Sequence, residues 1–413
     1  MLKRMDQVPP SHANSIGNPS QITDDQKWFD VDGNKLKLIR EGSARLKALT
    51  DIIEQAKKSL SLCFYMFEDD AVGTLIRNML IKLCKRGVSV ELIIDSFGSN
   101  GAPTGFFDPF IQAGGQFAIF SPRFSTSYFV RNHQKIVIAD NSRAMIGGFN
   151  ITDEYFDRQS GLENSTVDET SWEDLGVVIH GPEVRNLADY FEKLSGWVHQ
   201  NNGNIRLLQK MVRGWDAGDG NFRWLLGGPS NRLSRWAAAV KKDLETGEQL
   251  DLVSAYFSPG QGLLRRIARL SKRGGRNRLI LAGKTDNGAT IGASRLLYGY
   301  LLKRGACIYE YQPRRLHTKM IIIDDSVYIG SANFDLRSLF INVEIMVRIE
   351  DEAFADHARL LVDNICGDAL PISKQLHKAR RGWINRLRWT LSYFVVNILD
   401  YSVTRRFNFG VKK

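Results

Sequence analysis

The pattern His-x-Lys-x-x-x-x-Asp occurs twice in this chain of 413 residues, as His133, Lys135 and Asp140 and again as His317, Lys319 and Asp324. With seven histidines and ordinary use of lysine and aspartate, chance supplies roughly 0.02 copies. The two copies lie 184 positions apart, and a Gly and an Asn follow each at nearly the same step: Gly147-Gly148-Phe149-Asn150 and Gly330-Ser331-Ala332-Asn333. The chain is therefore read as two halves of one kind that share one site.

The flanking sequence supports the duplication. Lys85-Arg86-Gly87 precedes the apolar run Val90 to Ile94, and Lys272-Arg273-Gly274 precedes Leu279 to Leu281. Each reads as a basic helix end, a glycine stop and a strand. Helices are expected over Asp70 to Lys85 and Gly262 to Lys272, where apolar residues recur at three and four spacing. A second helix–Gly–strand unit follows in each half, Phe110 to Phe120 and Leu296 to Tyr311. Each half opens on an apolar strand, Leu60 to Phe67 and Leu250 to Phe257. Alternating strands and helices predict an α/β fold of two lobes, each a mixed, largely parallel sheet flanked by helices, with pseudo-twofold symmetry between them. The expected boundaries are a polar extension over 1–36, a lobe over 37–205, a linker over 206–222, a second lobe over 223–368 and a basic amphipathic tail over 369–413.

A hydrophobic fraction of 43% is enough for a buried core, and the net charge of +11 favours anionic partners such as phospholipid head groups or nucleic acid. The four cysteines have no metal-ligand spacing, and Cys63 and Cys84, within apolar runs, read as buried free thiols, as suits a reducing compartment. Residues 1–27 lack the apolar core of a signal peptide, and no run approaches a spanning helix. A soluble or peripheral protein on the cytoplasmic side of a membrane is expected.

On a strand, side chains two apart share a face, so His133 and Lys135 point one way, as do His317 and Lys319. Lysine supplies fixed charge to a phosphate, while histidine can attack it or exchange a proton. His133, Lys135, Asp140, His317, Lys319 and Asp324 are taken together as the catalytic set, although the odd offset of Asp140 and Asp324 puts those two on the opposite face, where they would pin the strand end. Asn150, Ser331 and Asn333 are expected to bind phosphate. Asp174 and Glu344 each stand at the start of a strand, and a carboxylate behind an imidazole would orient it. One histidine would attack phosphorus and the other would protonate the leaving alcohol, with no metal and no cofactor. The remaining histidines, His12, His180, His199, His357 and His377, are isolated.

These motifs resemble the phospholipase D superfamily, over nearly all of residues 37 to 366. The residues that carry the resemblance are Asn132 to Ile138 with Gly147 to Ile151, Ala255 to Gly260, Leu316 to Lys319 and Gly330 to Ser338, together with Phe67 to Asp70 and Gly181-Pro182. Within the superfamily the chain looks most like the bacterial cardiolipin synthases, in their shorter form without N-terminal membrane spans. The resemblance implies two phospholipase D-like lobes and transfer of a phosphatidyl group from one phospholipid, typically phosphatidylglycerol, to the hydroxyl of another, with release of glycerol. It implies His133 as nucleophile and His317 as general acid and base. The same residues would serve a phospholipase D that hands the group to water. A nuclease would need a basic groove with stacking aromatics, and the detailed resemblance argues against nucleic acid as a partner. A non-catalytic scaffold fits poorly, because both His–Lys sets are complete.

An enzyme acting on a diacyl lipid must reach a membrane surface. In the tail, Ile384, Leu387, Leu391, Phe394 and Ile398 recur at helical spacing among Trp383, Trp389, Arg380, Arg381, Arg386 and Arg388. This is the profile of an interfacial helix on anionic lipid, or of a terminal helix packed on the second lobe. The loop from Gly98 to Phe110, with Phe106, Phe107 and Phe110, is either a second inserting element or core.

Overall fold

A computed structural model describes residues 27–99, 101–122, 130–156, 171–200, 204–215 and 218–399. The chain forms two eight-stranded sheets of matching order. The first runs Phe29–Val31, Asn34–Ile39, Gly176–His180, Arg143–Gly147, Ile136–Ala139, Ser59–Phe64, Ser89–Asp95, Gln116–Phe120. The second runs Phe222–Gly227, Glu344–Glu350, Ser326–Gly330, Lys319–Ile323, Gln249–Ser254, Arg276–Ala282, Cys307–Tyr311, Ala369–Pro371. Seven consecutive strands correspond between the sheets. Each sheet then adds one strand at an opposite end.

The expected balance of strand directions needs correction. In the first sheet only Ser59–Phe64 with Ser89–Asp95, and Ser89–Asp95 with Gln116–Phe120, pair in parallel. The other five pairings are antiparallel. The alternation of strand and helix holds for the first part of each half, where a helix returns the chain to the same sheet end. It stops at the motif strand. There the chain reverses within Asp140, Asn141 and Ser142, and a reversal that short can join only antiparallel neighbours. Asp140, Asn141 and Asp324 have positive φ, of 53°, 53° and 47°. Asp and Asn tolerate this left-handed backbone better than most residues.

The helices follow from local signals. Ala71–Lys85 starts at Asp70, whose carboxylate accepts from the Gly73 N–H, and stops ahead of Gly87 at φ 82°. Its counterpart Gln261–Lys272 stops ahead of Gly274 at φ 92°.

Three apolar clusters hold these elements. Ile136 and Ile138 face a core shared by the two lobes, whereas Val137 and Ala139 face the core of the first lobe alone. Met320 and Ile322 face the shared core, and Ile321 and Ile323 that of the second lobe. Period-two alternation thus serves two apolar environments, which is why these strands read as continuous apolar runs. Two helices, Glu183–Gln200 and Glu352–Gly367, also feed the shared core, with Tyr190, Leu194 and Trp197 from one and Phe354, Leu361 and Ile365 from the other.

The expected boundaries shift. Strand Phe29–Val31 and the first half of Asn34–Ile39 lie within the segment read as an extension, and both belong to the first sheet. The segment read as a linker carries the helix Ile205–Gly214, which buries Leu208 and Val212 in the shared core. The first residues of the tail, Ala369–Pro371, close the edge of the second sheet. Phe106, Phe107 and Phe110 are buried, so that loop is core. His12 lies outside the described residues, as does the side chain of Ile398. No helix of the described residues is long and apolar enough to cross a membrane.

Candidate active site

The two motif strands bring their histidines to one cavity of about 640 Å³. Its lining includes His133, His317, Asn150 and Asn333 from the predicted set, and Tyr65, Tyr155, Trp172, Tyr256, Asp286, Arg131 and Arg337 beyond it.

A reciprocal exchange between the lobes builds the site. The residues before His317, Arg315–Leu316, pair in parallel with Trp172–Glu173 of the first lobe, and the His317 N–H donates to the Glu173 carbonyl at 2.8 Å. The residue before His133, Asn132, bridges Val343 of the second lobe, and the His133 N–H donates to the Val343 carbonyl at 2.9 Å. Each histidine is thereby placed one residue from the carboxylate of the opposite lobe. His317 Nδ1 lies 2.7 Å from Asp174 Oδ2, and His133 Nδ1 lies 3.2 Å from Glu344 Oε2. Asp174 and Glu344 thus each lie beside the Nδ1 of a histidine from the opposite lobe. A neutral imidazole that donates through Nδ1 presents Nε2 with its lone pair free.

The carboxylates are themselves held. Asp174 Oδ1 accepts from the Leu175 N–H at 2.8 Å, and its carbonyl accepts from the buried Arg45 guanidinium at 2.6 Å. Glu344 accepts from the hydroxyls of Ser331 and Ser338 and from the Asn342 amide. Ser331 therefore departs from its expected role. Its hydroxyl is committed to Glu344, while its carbonyl sits 3.1 Å from His133 Nδ1, so it supports the histidine–carboxylate pair and does not face the cavity.

The two asparagines behave differently. Asn150 Oδ1 accepts from the Met66 N–H at 3.2 Å, and its amide donates to the Tyr155 hydroxyl at 3.3 Å. Asn333 Oδ1 is buried and has no hydrogen-bond partner among the described residues. Both line the cavity.

Lys135 and Lys319 are almost fully buried, and each ammonium donates to the carbonyl of its own histidine. Burial, with the charge of Lys319 adding to it, draws Lys135 down to about 7 against the pull of Glu344. Burial likewise draws Lys319 down to about 8, against Asp174 and Glu344. Burial and the neighbouring lysines also lower the histidines, His133 to about 4 and His317 to about 3, although their carboxylates oppose the shift. Burial alone would raise Asp174 and Glu344. Their interaction with the histidines, including the hydrogen bond from each Nδ1, and the charge of Lys319 and Lys135 respectively, outweighs it, and both carboxyls lie below their usual range. The cavity thus combines neutral imidazoles with lysines whose charge is costly until an anion arrives.

Asp140 and Asp324 do not join the site. Asp140 accepts from the backbone N–H groups of Lys57, Lys58 and Ser59, and Asp324 from those of Glu248 and Gln249. Each ties the end of its motif strand to the start of the neighbouring strand. This corrects their inclusion in the catalytic set and matches the pinning role that their offset implies.

The aromatic walls carried no clear signal in the sequence. Tyr65 packs 5.0 Å from His133, and Tyr155 and Trp172 each lie 5.2 Å from His317, near edge-on. Trp172 sits two residues before Asp174, which on an extended strand puts the two side chains on one face. That spacing was the available clue.

The sequence matches the family described as "Cardiolipin synthase, PLD-like domain" over residues 49–195 and 243–365. It is 29% identical over 381 residues to cardiolipin synthase B of Salmonella typhimurium, covering 88% of this chain and 87% of that protein. It is 31% identical over 356 residues to cardiolipin synthase 1 of Bacillus anthracis, covering 81% and 67%. In fold it is similar to the crystal structure of phosphatidylserine synthase from Haemophilus influenzae, with a TM-score of 0.68 at 14% identity over 90% and 95% of the two chains. The chain belongs to the phospholipase D-like family of the cardiolipin synthases.

Proposed function

We propose that this protein transfers a phosphatidyl group from one phosphatidylglycerol to the hydroxyl of a second phospholipid, releasing glycerol and forming cardiolipin. The observation that carries this reading is the paired arrangement of His133 with Glu344 and His317 with Asp174 around one cavity with two buried lysines.

The substrate phosphodiester brings one negative charge beside Lys135 and Lys319. It keeps both protonated and raises the proton affinity of the nearby imidazoles. With the anion bound, one histidine takes up a proton from solvent at Nε2, and Nε2 of the other, neutral histidine attacks phosphorus. The bond to the glycerol oxygen breaks, and the protonated histidine gives that oxygen its proton. The product is a phosphohistidine, whose pentacoordinate precursor is stabilised by the two ammonium groups and the asparagine amides. The acceptor hydroxyl then attacks the same phosphorus, the P–N bond breaks, and the free histidine takes the acceptor's proton. Asp174 and Glu344 hold each imidazole in one tautomer throughout.

The route to the lipid is the C-terminal helix Trp383–Tyr393. Its Trp389 is buried and stacks 5.6 Å from His377, so one face packs on the second lobe. On its other face Trp383, Ile384, Leu387, Leu391 and, just beyond, Phe394 and Val395 are exposed, with Arg386 and Arg388 among them. One face of this segment thus packs on the second lobe, and the other is open to meet a lipid surface. Val395 and Val396 also line the catalytic cavity, so the apolar row continues into the site. An anionic bilayer surface fits this row and its charge.

The test is labelled phosphatidylglycerol in mixed micelles with a chelator present. The expected products are a diacyl dimer and free glycerol. Label appearing only as phosphatidic acid would make water the acceptor and the protein a hydrolase. Activity that survives His133→Ala or His317→Ala would sink the paired-histidine mechanism.

A further inference from the structure

The two lobes repeat each other around the histidines, and the repetition breaks at one pair of positions. Arg131 corresponds to Arg315, each two residues before its histidine. Glu154 corresponds to Arg337, each four residues after its asparagine, Asn150 or Asn333. Beside His317 the result is neutral. The Arg315 guanidinium lies 5.4 Å over Trp172 and 3.4 Å from the Glu154 carboxylate. Beside His133 the carboxylate position is taken by a second arginine. Arg131 lies 3.8 Å over Phe97, and both Arg131 and Arg337 line the cavity.

Tyr65 lines the cavity together with Arg131 and Arg337. Burial raises its hydroxyl, and the charges of both Arg131 and Arg337 pull it back down. Tyr65 in turn packs against His133. Asp95 is also close to Arg131, but its carboxylate is buried and accepts from the backbone N–H groups of Phe97, Gly98 and Asn132. At the other end of the cavity, Asp286 accepts from the Tyr256 hydroxyl at 2.6 Å, and Asp286 and Asp335 both act on Lys319. The cavity thus carries two arginines on the His133 side, where the His317 side carries an arginine paired with a carboxylate.

The bond-breaking chemistry does not use this asymmetry. The reacting phosphate is served by Lys135, Lys319 and the asparagines. We infer that Arg131 and Arg337 form a second anion subsite, which holds the phosphodiester of the acceptor phospholipid while the first phosphate reacts. This rests on the phosphatidyl-transfer reading. That reaction brings two phosphodiesters, each with one negative charge, into a single cavity, where they repel at low dielectric. A second pair of fixed cations offsets the repulsion, and guanidinium suits it because it binds phosphate in a bidentate way and stays charged. The subsite selects an anionic lipid acceptor over water or a neutral alcohol.

The test is a competition between acceptors in the full-length protein. Labelled phosphatidylglycerol in mixed micelles is offered with 1-butanol, and the ratio of diacyl dimer to phosphatidylbutanol is measured. Arg131→Gln and Arg337→Gln are each expected to lower that ratio at least tenfold. Arg337→Lys, which keeps the charge, is expected to hold it within threefold. A ratio that stays constant while both products fall together assigns the arginines to the reacting phosphate or to folding, and overturns the proposal. A binding measurement separates this failure from failure of the transfer reading itself. Calorimetry with inorganic phosphate is expected to show two sites in the unmodified protein and one in the doubly substituted Arg131→Gln, Arg337→Gln protein. An equal count in both overturns the subsite even if the protein makes neither product. Loss of one phosphate site with no change in product ratio overturns its assignment to the acceptor lipid.

Discussion

His317 Nδ1 lies 2.7 Å from Asp174 Oδ2, although the two residues belong to opposite lobes. The reciprocal pair, His133 with Glu344, makes the same crossing at 3.2 Å. Neither half of the chain thus contains a complete histidine–carboxylate unit. The single site is a property of the lobe interface, and anything that loosens the strand pairing of Arg315–Leu316 with Trp172–Glu173 loosens the chemistry.

Asp174→Asn removes the charge and scrambles the tautomer preference of His317 while keeping the side chain's size. Turnover should fall by about 10² to 10⁴, the scale set by removing an orienting carboxylate elsewhere. Imidazole ¹⁵N spectra should change for His317 and not for His133. A change at His133 instead would contradict the crossed pairing.

The lysines set the alkaline limit. Lys135 at about 7 and Lys319 at about 8 lose their charge in the free protein as pH rises, so kcat/KM should fall above that range. A bound phosphodiester favours the charged form, so the alkaline limb of kcat should lie at higher pH than that of kcat/KM. Coincident limbs would show that substrate charge does not reach the lysines. The stability sign also follows. In the unfolded chain these lysines keep their protons up to about 10.5, so the unfolded state binds more protons between about 7 and that value. Stability should therefore rise with pH through that window from this source. The buried histidines act in the same direction at lower pH. Held at about 4 and 3 against 6.5, they lose stability as pH falls from 6.5 towards 4. Thermal melts across pH check both limbs.

Asp140→Ala should act on stability rather than chemistry. It removes the acceptor of three backbone N–H groups at the strand start, a loss of about 1–3 kcal/mol. Asp140→Asn should be milder, because asparagine tolerates the positive φ. Turnover measured well below the melting temperature should stay within about threefold. A collapse of kcat in a folded Asp140→Asn protein would return the aspartate to the site.

Leu387 and Leu391 are more than half exposed, at 55% and 56%. Leu387→Glu with Leu391→Glu should therefore leave the melting temperature nearly unchanged. It should weaken co-sedimentation with phosphatidylglycerol vesicles by at least tenfold, while turnover of a short-chain soluble substrate persists. Unchanged vesicle binding would remove this face as the lipid contact. Trp389→Ala is the contrasting case: the ring is buried, and its loss should cost about 3–5 kcal/mol.

The duplicated motif was enough to expect two like lobes, one shared place for His133 and His317, and Asp140 and Asp324 directed away from it. The repeat and the odd offset of the aspartates suffice for that, because both are local to the chain, although His133 and Lys135 precede the strand Ile136–Ala139 and His317 precedes Lys319–Ile323. Asp174 and Glu344 were legible as carboxylates at strand starts, but not the histidine each would meet. Nor was the commitment of the Ser331 hydroxyl to Glu344, the aromatic walls around each imidazole, or the antiparallel majority of each sheet. The histidine–carboxylate pairing depends on which strand ends meet across the lobe boundary, and the strand directions on where a tight reversal replaces a helical return. Contacts between residues more than a hundred positions apart leave no periodicity in the chain, so only tertiary packing decides them.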